Sequence, residues 1–111
     1  MTDARAERAT RRPARHELPA IDEAGLIAAR HADRILAAAR ESGSARWTVF
    51  FEPLPDRLRD DKPVALRSAA LRARAAYGVK DSIRDVVPAD LTEPFLEAID
   101  RLVRELNRPR A

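Results

Sequence analysis

At 111 residues the chain has room for one compact domain, and 45% hydrophobic with 35% charged side chains suits a small folded module. With no cysteine, disulfides, thiolate metal sites and cysteine nucleophiles are excluded, and the expected setting is a reducing cytoplasm. The formal charge of +3 is small and unevenly spread.

Residues 1–17 carry Arg5, Arg8, Arg11, Arg12 and Arg15 against Asp3, Glu7 and Glu17, a balance of +2 that leaves +1 for residues 18–111. Arginine outnumbers lysine 19 to 2 in a chain with 22 alanines, a bias that GC-rich codons produce, so arginine content alone signals no ligand. Between Thr2 and Glu17 the apolar side chains are alanines and Pro13, with nothing to anchor a core. That stretch is expected to be a mobile, disordered N-terminal tail preceding a single helical domain over 18–111. No run reaches the roughly 18 apolar residues of a membrane span, and the basic start lacks the apolar stretch of a signal peptide.

The first helix is expected over about 22–42, with Asp22 as N-cap and Gly43 as stop. Ala28, Ala32, Ile35, Leu36 and Ala39 share one of its faces, whose small side chains favour close approach of a neighbour. Trp47 to Pro55 can be read two ways. Its β-branched and aromatic residues suggest a strand, but a lone strand has no partner. Trp47, Phe50, Phe51 and Leu54 fit helical spacing, with Ser44 as a cap, so a short helix ended by two prolines is preferred. One further turn is expected over 56–60. A third main helix spans about 62–77, capped by Asp61 and stopped at Gly78; Leu66, Ala69, Ala70, Ala73 and Tyr77 share a face, while Val64 and Leu71 lie on another side. A short helix over 81–87 ends at Pro88. In the last helix Thr92 is the expected N-cap, Phe95, Leu96, Ile99, Leu102, Val103 and Leu106 form one stripe, and Glu97–Arg101 and Asp100–Arg104 are i, i+4 pairs. The fold class is thus all-α, a small bundle of three main helices with one or two short connecting helices.

Catalytic chemistry is hard to find. Three isolated glycines cannot form a phosphate cradle. His16 and His31 lack the i, i+4 pairing of helical metal sites, and the serines lack a nucleophile-elbow context. The carboxylate pairs Asp81/Asp85 and Glu93/Glu97 read most simply as residues favouring helix starts. The expectation is a non-enzymatic protein with no catalytic residue, metal or cofactor and no evident small-molecule site.

Two features point to partners. Trp47, Phe50 and Phe51, together with the stripe of Phe95, Ile99, Leu102 and Leu106, would form a contact surface for a protein partner or a second copy if partly exposed. Otherwise they are core. The basic residues Arg67, Arg72, Arg74, Lys80 and Arg84 suggest nucleic acid, because residues 62–87 have the outline of a degenerate helix-turn-helix. Against that reading, the second helix would be short and would carry Asp81 and Asp85 toward phosphates. The preferred function is a cytosolic helical interaction protein, with a homodimer as one form; the alternative is a small DNA-binding regulator.

Overall fold

The computed structural model describes residues 13–109, which form helices and turns with no strand among them. Helix α1 spans Pro19–Glu41, one turn earlier at its start than Asp22 as N-cap implies. Pro19 serves as the first helical residue, where a missing N–H is harmless. Gly43, at φ +75°, ends the helix in the left-handed region. Along the inner face Ala28, Ala29, Ala32 and Ala39 are completely buried, with Ile21 and Ile35 among them.

Helix α2 covers Ala45–Phe51, so the aromatic segment is helical. Ser44 Oγ accepts the Trp47 N–H at 3.2 Å, which satisfies one donor left open at the helix start. A single turn, α3, follows at Leu54–Arg57. Helix α4 spans Pro63–Arg74 and tightens into a 3₁₀ turn at Ala75–Tyr77. Its N-cap position is Lys62, and no side chain caps it. Gly78 is extended (φ −65°), so the chain leaves this turn without needing left-handed backbone.

The helix expected over 81–87 is a 3₁₀ turn of three residues, Ile83–Asp85. Ser82 Oγ accepts the Arg84 N–H and Asp85 Oδ2 accepts the Ser82 N–H, closing the turn locally before Pro88 forbids extension. Ile83 and Val87 are buried and anchor it. Helix α5 runs from Ala89 to Asn107, starting a turn before Thr92. Pro94 lies inside it and offers no N–H to the Asp90 carbonyl, on a residue exposed to solvent.

Helices α1 and α5 form the main pair and run antiparallel, the start of α1 meeting the end of α5, as Glu23–Arg101 (3.6 Å) records. The core between them and α4 is built from Phe51, Leu54, Leu58, Leu66, Phe95, Ile99 and Leu102, all at 0% exposure. The small side chains of α1 let α5 approach closely, so few large residues suffice to fill the space. The ion pairs expected within α5 are replaced by pairs between elements: Asp100 binds Arg74 at 2.6 Å and Arg101 reaches Glu23. Longer-range partners are available because α1 and α4 flank α5.

The tail expected over 1–17 divides. Residues 1–12 lie outside the described residues, whereas residues 13–17 are held against the bundle, and Arg15 is only 3% exposed. Its Nη1 donates to the Leu58 carbonyl at 2.7 Å and the Asp60 carbonyl at 3.1 Å. Its Nε donates to Asp22 Oδ1 at 2.7 Å and its Nη2 to the Asp22 carbonyl at 3.2 Å. The Arg15 N–H also donates to Asp61 O at 2.9 Å. An apolar-anchor criterion misses this because the anchor is a guanidinium fork, whose stem packs and whose donors are matched one by one.

Candidate functional site

The aromatic cluster is largely consumed by the core. Trp47 is 4% exposed and Phe51 is fully buried, its ring centroid 5.8 Å from that of Phe95, so helix α2 is pinned onto α5 by ring contacts. Ile99 and Leu102 are also fully buried. The stripe on α5 is therefore covered by its own chain. Phe50 remains half-buried, edge-on to Trp47 at 5.2 Å and capped on its face by the Arg72 guanidinium at 4.5 Å. Leu106 is half-buried at the end of α5.

The basic set is dispersed into intramolecular contacts. Arg67 donates to the Asn107 side-chain carbonyl and to the Leu106 carbonyl (3.1 Å), closing the end of α5. Arg74 pairs with Asp100, and Arg84 holds Glu93 through two hydrogen bonds of 2.8 and 3.1 Å. Lys80 is exposed and does not join these contacts. No recognition helix follows the turn at Gly78, since that segment is the Ile83–Asp85 turn.

Around Arg84 a closed polar ring joins the 3₁₀ turns to α5. The Tyr77 hydroxyl donates to the Thr92 carbonyl, the buried Thr92 hydroxyl donates to Glu93 Oε2 at 2.7 Å, and Arg84 lies 5.0 Å from the Tyr77 ring centroid. Hydrogen bonds from Arg84 and then Thr92 hold the Glu93 carboxyl below its ordinary pKa. Burial, reinforced by the Glu93 charge and opposed by Arg84, pushes the Tyr77 phenol well above its ordinary value. The two hydroxyls, the carboxylate and the guanidinium of the ring are thus engaged with one another or with the α5 backbone.

His31 borders a cleft of about 400 Å³ between α1 and α5, with Ile27, Glu97 and Arg101 on its walls. Partial burial and then the Arg34 charge hold its pKa below the usual histidine value. Among the described residues no group of three His, Asp or Glu is placed to hold a metal ion. Asp85 caps Ser82 and Glu93 serves Arg84, so neither helix-spaced carboxylate pair acts as a unit.

An apolar groove of about 620 Å³ lies at the end of the bundle where the start of α1, the start of α4 and the end of α5 meet. Pro13, Leu18, Ile21, Pro63, Val64 and Leu106 form its walls; Asp61, Lys62 and Arg67 supply the charges. Val64 is 55% exposed, whereas Ile21 at the base is 2% exposed. The signal for it in the sequence is Val64 itself, an aliphatic residue placed off the buried face of α4. The second wall depends on Arg15 holding residues 13–18 in place, and no spacing pattern reveals that. The volume lies within the roughly 300–1,000 Å³ typical of binding clefts.

Set against known proteins, the chain matches no family model, no curated protein and no solved structure.

Proposed function

We propose that the chain is a non-enzymatic helical interaction module, working in the cytosol by docking a protein partner on the apolar groove between α1, α4 and α5. The observation that carries this reading is the groove itself: apolar walls, an exposed Val64 and a half-buried Leu106 beside a core that is otherwise closed. Apolar surface held open in this way gains free energy when a partner removes it from water. Of the residues expected at a contact surface, Leu106 borders this groove, and Val64 joins it there.

The DNA-binding alternative draws less support. Phosphates would have to compete with Asn107, Asp100 and Glu93 for Arg67, Arg74 and Arg84, and with the Phe50 ring for Arg72. A photo-crosslinking amino acid placed at Val64 in cells, with one at the 71% exposed Val49 as control, separates the two readings. The expected result is a discrete protein adduct from position 64 and none from position 49. Equal labelling at both positions, or an adduct with nucleic acid, would overturn the interaction reading.

A further inference from the structure

The described residues 13–109 hold sixteen basic and sixteen acidic side chains, a net charge of zero, and the excess of +3 lies in residues 1–12 and 110–111. Within the neutral body the charge is unevenly divided. Residues 62–80 contain Lys62, Arg67, Arg72, Arg74 and Lys80 and no acid. Helix α4, which lies in this stretch, buries one side: Leu66, Ala69, Ala70 and Ala73 face the core. On the other side Val64, Ser68, Leu71 and Ala75 are all exposed, Val64 by 55% and Leu71 by 49%.

These four residues recur at spacings of four, three and four, so at 3.6 residues per turn they fall in one stripe, with the periodicity of a two-helix seam. Large and small side chains alternate along it, leaving recesses at Ser68 and Ala75 beside the ridges of Val64 and Leu71. In such a seam the flanking positions choose the partner by charge. Here they are Ala65, Arg67, Arg72 and Arg74. Each arginine is drawn aside and leaves the stripe open: Arg67 to the Leu106 carbonyl and the Asn107 amide, Arg72 over the Phe50 ring, Arg74 to Asp100. Of these partners Asp100 alone is charged, so Arg67 and Arg72 keep their positive charge beside the stripe.

We propose that this face of α4 pairs with an amphipathic helix of a partner protein, one that carries large aliphatic side chains on its own seam and Asp or Glu on both flanks. The aliphatics fill the recesses at Ser68 and Ala75, and the carboxylates face Arg67, Arg72 and Arg74. The pairing rests on the interaction-module reading and extends the contact from the groove, which Val64 also lines, along α4 to Leu71. A second copy is disfavoured, because α4 set against itself brings arginine flanks together in either direction. Nucleic acid would meet the arginines but leave the stripe of Val64 and Leu71 unused, whereas an acid-flanked helix satisfies both.

Two synthetic helices of about 21 residues, with Leu at the seam positions and either Glu or Lys at the flanking ones, test the proposal by fluorescence anisotropy against the full chain. The Glu-flanked helix should bind about tenfold more tightly than the Lys-flanked one, and more weakly as salt rises. Leu71 lies outside the groove lining, so Leu71→Asn should weaken this binding about tenfold through the seam alone. Arg72→Glu should weaken the Glu-flanked helix and strengthen the Lys-flanked one, a reversal that simple loss of structure does not produce. Circular dichroism checks that both variants fold. Equal binding of the two helices would overturn the acidic assignment. Binding of neither, with a protein adduct still formed from position 64, would overturn the seam yet leave the docking groove standing; with no adduct either, both fall. Displacement of the Glu-flanked helix by an equimolar DNA duplex would overturn the assignment in favour of nucleic acid.

Discussion

Arg15 and Gly25 are one device made of two residues. A Cβ at position 25 would lie 2.5 Å from Arg15 Nη2 and 3.1 Å from its Cζ, so glycine is required in the middle of α1 by the guanidinium lying across it. Helix propensity argues the other way, since glycine weakens a helix interior. Gly25→Ala should therefore push the Arg15 head out of its site and destabilise the protein by about 1–3 kcal/mol, through unpaired Leu58 and Asp60 carbonyls. In an Arg15→Ala background the same change should instead stabilise by about 0.5–1 kcal/mol. Urea unfolding followed by the single tryptophan, buried at Trp47, measures this double-mutant cycle. Additive effects would show that the two residues act independently. Nothing in the sequence spacing joins a tail arginine to a glycine ten residues later, and here the reading by pattern fails. It succeeds where a local rule suffices: Ser44 caps α2 and Gly43 ends α1 from chemistry confined to a few residues.

At the scale of elements, legibility follows the same division. Long amphipathic segments declare themselves, so α1, α4 and α5 can be read from periodicity and the aromatic segment from its i, i+3, i+4 spacing. The Lys80–Val87 stretch misleads because its composition permits a helix, while Ile83 and Val87 satisfy their burial as anchors of one turn. That turn is tied to α5 through the ring of Tyr77, Thr92, Glu93 and Arg84. Tyr77 is the only tyrosine, so absorbance near 295 nm titrates this junction alone. The folded phenol is held above its unfolded value of about 10. The neutral form is the one the fold stabilises. The resulting stability is thus fully present below about pH 10 and is lost as pH rises through the folded pKa. The expected titration shows a phenol that resists ionisation until α5 loosens, with Tyr77→Phe reducing stability by about 0.5–1.5 kcal/mol. A phenol titrating as a free tyrosine, with circular dichroism unchanged, would show that the ring does not close in solution.

For the whole molecule, the boundary of the folded unit lies before Arg15, not after Glu17. A chain starting at residue 13 keeps the guanidinium and its four side-chain hydrogen bonds and should unfold at the same urea concentration as the full chain. One starting at residue 18 should lose about 2–3 kcal/mol, and with it one wall of the groove. Equal stability of the two would remove Arg15 from the account of the fold. The core was legible because its large residues fall on helical faces. The groove was not, because its walls come from three segments brought together only in the folded state.

Charge segregation has a colloidal consequence as well. A body of sixteen positive and sixteen negative side chains sits near its isoelectric point at neutral pH, where protein molecules repel one another least and associate most readily. The excess at the chain ends lifts the molecule off that point. Those same arginines would then act as the protein's own dispersant, and a partner that neutralised them would bring the complex back toward the condition in which such bodies cluster.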